Sequence, residues 1–128
     1  QQITNIGQTL ERWFKNKTSP DHLLKINNVR SWLHNTSPKA YAEAYYLFAT
    51  SDRVFVNNLS NLQPPVLYLT GSEDPNSTSL MSEQMAQETP NSWSESIESE
   101  AHMMAYISAK KVNSIIEHFL NNTTNTTK

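Results

Sequence analysis

This sequence of 128 residues has no cysteine, only two glycines and no long apolar run. Without cysteine it has neither a disulfide framework nor a thiolate metal site, so redox chemistry does not constrain its compartment. No segment approaches the roughly 20 apolar residues that span a bilayer, and the amino terminus has no basic segment or apolar signal core. We expect no membrane association, and the cytoplasm is the favoured location.

The sequence also has no large excess of charge of one sign. Ten basic and twelve acidic residues give a formal net charge of −2, and runs of charge such as Lys110-Lys111 are short. Nucleic-acid binding usually requires clustered Lys and Arg, so no nucleic-acid partner is expected. The histidines other than His102, namely His22, His34 and His118, have no partner at metal-ligand spacing, and we predict no metal and no cofactor.

Asparagine and serine are abundant, and they create triplets such as Asn16-Lys17-Thr18 and Asn58-Leu59-Ser60. These triplets have the form of glycosylation acceptors of a secreted protein. Chance in an Asn-rich and Ser-rich sequence is the favoured explanation.

The first half of the sequence predicts helices. Apolar residues recur at helical spacing from Ile6 to Phe14, and a second such series runs from Leu23 to Leu33. Ser37 followed by Pro38 predicts the start of a third helix, because serine caps free amides and proline loses nothing at the first helical position. We assign residues 1–52 to a helical segment.

The second half predicts alternating strands and helices. Leu59–Pro65 is expected to be an extended lead-in, because each proline pushes its predecessor towards the β region. Val66–Thr70 and the segment around Trp93–Ile97 then predict parallel strands with a helix between them, and a last helix closes the series. We assign residues 53–120 to this α/β part and residues 121–128 to a disordered tail.

Two strands do not make a stable parallel sheet, because their outer edges would expose unpaired backbone donors and acceptors. The sequence therefore implies additional sheet. We expect it to come from an amino-terminal segment or from another chain.

Polar side chains follow both predicted strands. Asp74 comes directly after the first strand, and His102 follows the second. Because carboxyl ends of parallel strands meet at one edge, the two side chains should lie close enough for a carboxylate to orient an imidazole. Taken singly, Asp74 would be a turn residue and His102 a loop residue without a role. Glu73 and Glu100 are competing acids, and Glu100 is expected to be exposed.

The group that such a pair would activate is missing. No Gly-x-Ser-x-Gly turn, or equivalent Gly-flanked nucleophile, occurs in these residues. The sequence thus contains an acid and a base without their nucleophile.

Pro65–Pro75 resembles the late strand and acid turn of the α/β-hydrolase fold, in which an apolar strand is followed by Gly-x-x-Asp. Ala101-His102 resembles the histidine loop of that fold, and Lys111–Leu120 resembles its closing helix. The order nucleophile, acid, histidine of that fold agrees with the order here, with the first member missing. The loop residues Glu98–Ala101 and Tyr106–Ala109 depart from the family pattern, which has small residues before the histidine and Glu-x-Pro-Glu after it.

Leu10–Phe14 and Tyr41–Tyr45, with Asp52 after them, are similar to cap-helix segments of the enol-lactonase and carboxylesterase-like branch. The resemblance implies a helical cap followed by the last two parallel strands, the crossover helix and the closing helix of the core. It also implies that cap residues line an apolar pocket. The substrate-binding candidates are Trp13, Trp32, Tyr41, Tyr45 and Met103, with Phe48 beside them; helix packing is the alternative for each.

The implied function is the carboxyl-terminal portion of a serine-type hydrolase of small ester, lactone or thioester substrates. Asp74 would be the orienting acid and His102 the general base, with the amino-terminal half of the core as partner. This chain alone is expected to be inactive. The alternative is a non-catalytic remnant or interaction protein that pairs through its sheet edge.

Overall fold

The computed structural model describes residues 5–51 and 54–124. In these ranges the elements follow in the order α1 (Ile6–Phe14), α2 (Pro20–Asn35), α3 (Pro38–Ser51), a 3₁₀ helix (Val56–Asn61), β1 (Val66–Gly71), α4 (Ser79–Glu88), β2 (Ser92–Ile97), α5 (Met104–Ile107) and α6 (Ala109–Thr124). The predicted helical first half and β-α-β-α second half are confirmed. The expected boundary between them falls at residues 52 and 53, outside the described residues.

Capping residues set the starts of two helices. The Ser19 hydroxyl accepts a hydrogen bond of 3.2 Å from the backbone N–H of His22, and Pro20 occupies the first position of α2. Ser37 and Pro38 repeat this arrangement at α3. Proline suits this position because it lacks the backbone N–H that would have no partner in the first turn. The helix α3 therefore starts where the sequence predicts, whereas α2 starts three residues before the predicted apolar series.

The strands β1 and β2 pair in parallel, in a register that runs from Val66 opposite Ser92 to Gly71 opposite Ile97. In the described part of the chain these strands form the whole sheet. The crossover helix α4 packs against both of them. The two strands therefore end at the same edge, where the acid turn and the histidine loop begin.

The main apolar core lies between the helices and the histidine loop. Its buried members are Ile6, Leu10, Phe14, Val29, Leu33 and Ile107. They belong to α1, α2 and α5, so the first two helices are packed against the segment directly after His102. Burial of these side chains stabilises the position of α1 beside that loop.

Other apolar surfaces are open. None of the residues of α3 is buried, and Tyr46, Leu47 and Phe48 are 72%, 68% and 62% exposed. The strand β2 is exposed from Trp93 to Ser96. Exposed apolar surface such as that of α3 marks a contact area.

Two local expectations were wrong. Residues 59–61 belong to the 3₁₀ helix and are not extended, because proline restricts its direct predecessor and leaves earlier residues free to form i→i+3 bonds. The helix α6 continues through residues 121–124, which were assigned to the tail. There the Thr123 hydroxyl bonds to the Phe119 carbonyl at 2.8 Å, so the polar side chains satisfy the helix rather than unwinding it. Residues 125–128, like Asp52, lie outside the described residues.

Gly71 is required by close packing of two backbone segments. A Cβ atom at this position would overlap with the carbonyl group of Glu100, in the loop that carries His102. Gly7, in α1, has nothing within 4 Å of its corresponding position. The two glycines of the chain therefore make a matched pair for substitution.

We expect Gly71→Ala to lower the free energy of unfolding by about 3 kcal/mol, because backbone must move to admit the methyl group. Gly7→Ala should raise it by about 0.5 kcal/mol, because alanine loses less conformational entropy in a helix. Urea unfolding followed by circular dichroism measures both values. Equal effects at the two positions would contradict the close approach.

Candidate active site

Asp74 is held in a turn directly after β1. Its backbone N–H donates to the Gly71 carbonyl at 3.0 Å, and the residue is only 7% exposed. One carboxylate oxygen, Oδ1, accepts hydrogen bonds from the backbone N–H groups of Asn76 at 2.8 Å and Ser77 at 3.1 Å. These bonds fix the side chain, so that its second oxygen points in one direction.

That second oxygen contacts His102. The distance from Asp74 Oδ2 to His102 Nδ1 is 2.8 Å, and the imidazole side chain is 32% exposed against 6% for the carboxylate. An ionised carboxylate only accepts, so Nδ1 carries the proton and Nε2 is left with a free lone pair. Nε2 has no hydrogen-bond partner within residues 5–51 and 54–124. The structure thus brings together the acid and histidine that the sequence singles out.

Two hydrogen bonds donated by backbone N–H groups tie the acid turn to the histidine loop. The Glu73 N–H donates to the Glu100 carbonyl at 2.8 Å, and the Ser99 N–H donates to the Ser72 hydroxyl at 2.9 Å. Ser99 adopts a positive φ of 60°. The two loops therefore form one connected unit, and the separation of Asp74 from His102 is set by this backbone as well as by their own contact.

The expectation that Glu100 is exposed was wrong, because this residue is 7% exposed. Its carboxylate accepts a hydrogen bond of 2.6 Å from Ser108 and lies 3.2 Å from the Lys17 ammonium. Burial of the loop backbone against β1 carries the side chain inward with it. Of the three acids near the turn, Asp74 is the one that contacts His102.

A cavity of about 510 Å³ opens beside the imidazole. It is lined by Arg12, Trp13, Tyr41, Ala44, Tyr45, Phe48, Pro75, Asn76 and His102. The Trp13 and His102 rings lie 5.6 Å apart between centroids. Three of the predicted substrate-binding residues, Trp13, Tyr41 and Tyr45, thus line one cavity with the histidine.

Two of the predicted pocket residues do not line this cavity. Trp32 packs on the ring of Tyr106, with 5.5 Å between centroids, because it lies on the face of α2 that meets α5. Met103 packs against the apolar core, and its N–H donates to the Trp13 carbonyl at 3.2 Å. Trp32 and Met103 thus occupy packing positions, which is the alternative to substrate binding given for each of them.

Sequence reasoning missed Arg12 and Asn76 as cavity residues. Each has a neighbour that could have pointed to it. Arg12 precedes Trp13 on the same helix, and Asn76 lies in the turn of Asp74. The sequence does not reveal the direction of α3. That direction places the aromatic residues of α3 in one cavity with Arg12 and Asn76.

A larger cavity, of about 700 Å³, lies between the sheet and α6. Leu67, Trp93 and Phe119 are among its lining residues, and it contains neither Asp74 nor His102. The smaller cavity is therefore the candidate substrate site, because His102 lines it. Over the described ranges, no three His, Asp or Glu side chains are grouped so as to hold a metal ion. No helix in those ranges is both long and apolar enough to cross a membrane.

Known proteins are similar to this chain in sequence or in fold. An (E)-2-((N-methylformamido)methylene)succinate hydrolase from Acinetobacter baylyi is 35% identical over 119 residues, which make up 93% of this chain and 44% of that protein. A thermophilic esterase from Thermogutta terrifontis, solved with malate bound, superposes with a TM-score of 0.81 at 23% identity. That match covers 92% of this chain and 43% of the esterase. No family model matches the sequence.

These likenesses confirm the fold that the sequence resemblance implied. The chain has the fold of the carboxyl-terminal part of an α/β-hydrolase, with helices followed by two parallel strands. Its sequence is similar to that of a hydrolase. The chain spans less than half the length of either protein to which it was compared.

We expect Asp74→Asn to reverse the tautomer of His102. The amide oxygen can still accept from Asn76 and Ser77, which turns the amide NH₂ towards Nδ1 and makes that nitrogen an acceptor. The proton then moves to Nε2, and ¹⁵N chemical shifts of the ring report the change. Glu73→Gln, in the same turn but exposed, is the control and should leave the spectrum unchanged. An unaltered tautomer in Asp74→Asn would contradict the contact.

Proposed function

We propose that this chain supplies the general base and the orienting acid of a serine-type α/β-hydrolase. The observation that carries the proposal is the 2.8 Å contact between His102 Nδ1 and a buried, hydrogen-bonded Asp74. This geometry leaves Nε2 free for a proton and provides a carboxylate that stabilises the imidazolium once it forms. The fold and the similarity to a hydrolase support the same assignment.

The proposed reaction is hydrolysis of an ester, lactone or thioester. His102 Nε2 removes the proton from a serine hydroxyl of the amino-terminal core while the serine oxygen bonds to the carbonyl carbon. The imidazolium then protonates the leaving group as its bond to the carbon breaks, and an acyl-enzyme forms. His102 next takes a proton from water while the water oxygen bonds to the acyl carbon. The imidazolium then returns that proton to the serine oxygen as the bond from serine to the acyl carbon breaks, which releases the acid and restores the free serine. The oxyanion donors of this fold belong to segments that precede the acid turn.

The substrate proposed for the cavity carries a carboxylate of its own. Arg12 lines the cavity together with aromatic rings, and it forms no hydrogen bond or ion pair within the described ranges. A guanidinium without an acidic partner favours a carboxylate ligand, which it can bind through two parallel hydrogen bonds. The hydrolase from Acinetobacter is named for a succinate derivative, which supports this choice.

The amino-terminal part of a hydrolase core is the proposed partner of the open surfaces. The outer edge of β1 has free ladder positions, and parallel sheets are normally covered on both faces. The exposed residues of α3, Tyr46 and Phe48 among them, add apolar surface. A non-catalytic protein that pairs through this edge would use the same surface, and activity separates the two hypotheses.

We expect the isolated chain to hydrolyse p-nitrophenyl acetate no faster than its His102→Ala variant, because it lacks a nucleophile and an oxyanion hole. Joined to an amino-terminal core that carries the serine, the chain should give an esterase that loses about 10³-fold or more in kcat on His102→Ala. His34→Ala, at an exposed position near the end of α2, is the control. A joined protein that folds and is unaffected by His102→Ala would favour the interaction hypothesis.

In the chain joined to an amino-terminal core, we expect Arg12→Met to raise KM about tenfold for a monoester of a dicarboxylic acid, because a charge-assisted hydrogen bond is lost. KM for the corresponding neutral diester should change little. Arg30→Met, on the exposed surface of α2, serves as the matched control. Equal losses for the charged and neutral esters would assign Arg12 to packing instead.

A further inference from the structure

One buried carboxylate has no part in the proposed reaction. Glu100 precedes His102 by two residues, and its side chain is 9% exposed. Its Oε1 accepts a 2.6 Å hydrogen bond from Ser108, whereas Oε2 has no aligned donor among the described residues. The Lys17 ammonium, 3.2 Å from Oε2, is therefore its counter-charge. A carboxylate buried to this degree requires such a partner.

Lys17 joins the helical cap to the histidine loop. It lies between α1 and α2, its side chain is 17% exposed, and its Nζ donates to the Ser99 carbonyl at 2.8 Å. One ammonium thus contacts both residues 99 and 100, directly before Ala101 and His102. The carbonyl of Glu100 in turn accepts from the Glu73 N–H of the acid turn.

Further contacts join the same two helices to the chain after His102. They are single hydrogen bonds from Met103 N–H to the Trp13 carbonyl, from Lys25 Nζ to the Ile107 carbonyl and from Asn28 to the Tyr106 hydroxyl, at 3.2, 3.3 and 3.2 Å. Lys25 also pairs with Asp21, whose pKa is lowered mainly by that hydrogen bond. Asp21 is largely exposed, so this pair remains hydrated when the loop moves. Among the described residues, the Lys17–Glu100 pair is the one that buries opposite charges between these helices and the histidine loop.

We infer that Lys17 and Glu100 are positioning residues that couple the cap to the general base. The buried pair holds residues 99–102 in the one conformation that keeps His102 Nδ1 beside Asp74. Removing either charge leaves the other uncompensated in a buried position, and it can be rehydrated only if the loop moves outward. That movement carries the imidazole away from the carboxylate. The inference rests on the proposed role of His102 as the base.

The test uses the chain itself and needs no substrate. In the unaltered protein, NMR should detect the His102 Nδ1 proton in its hydrogen bond to Asp74, with slow exchange with water. Lys17→Met and Glu100→Gln should each accelerate that exchange about tenfold, or abolish the signal, because the loop opens more often. Lys39→Met removes an exposed lysine that lies 3.9 Å from Glu43, and it should leave the exchange unchanged.

Rescue by a charge-retaining substitution distinguishes a positioning role from a general loss of stability. Lys17→Arg, which retains the charge, should restore slow exchange. The double variant Lys17→Met, Glu100→Gln should be less affected than the sum of the single variants, because neither charge is left unpaired. Glu100→Gln retains an oxygen for Ser108, so it serves as the milder variant if Lys17→Met does not fold.

Each outcome decides the inference. Folded variants with unchanged exchange at His102 would overturn it, as would failure of Lys17→Arg to rescue. Unfolding of both charge-removing variants would also overturn it, because the pair would then hold the whole fold rather than the loop. A missing Nδ1 signal in the unaltered protein would contradict the Asp74–His102 contact, and hence the proposed function, before any variant is made.

Discussion

The candidate site depends on satisfying one buried carboxylate. Asp74 is 7% exposed, and its two oxygens receive two backbone N–H groups and the His102 imidazole. A buried carboxylate without such donors would be costly, so the turn after β1, the loop after β2 and the orientation of the imidazole are mutually constrained. Gly71 allows this arrangement, because any side chain there would push the two loops apart.

The helices of the first half pack against the segment that carries His102, and they also line the cavity beside it. The apolar core of α1 and α2 includes Ile107, just after the histidine loop, and Trp13 stands beside the imidazole ring. The segment that would cover the substrate is therefore also part of the support of the proposed base. We therefore expect changes in cavity shape to affect the orientation of His102 through these shared contacts.

The described elements leave much apolar surface uncovered. A parallel sheet of two strands, with β2 exposed over most of its length and no residue of α3 fully buried, lacks the coverage that such sheets normally have. The proposed partner, an amino-terminal hydrolase core, would account for both these open surfaces and the absence of a Gly-flanked nucleophile. The part of a hydrolase core that supplies a serine would also supply neighbouring strands.

Sequence alone was sufficient for the order of elements and for the acid and the histidine, because helical spacing, Ser-Pro starts and residues at strand ends are local signals. Tyr41, Tyr45 and Trp13 were also predictable as cavity residues through the family resemblance. The burial of Glu100, the outward placement of Trp32 and the contribution of Arg12 were not, since each depends on how segments far apart in the chain pack together. The sequence by itself thus determined which groups are present and at which end of the strands they emerge. Only the tertiary structure decided which of them touch, because hydrogen bonds and burial arise between segments whose distance in the chain says nothing about their distance in space.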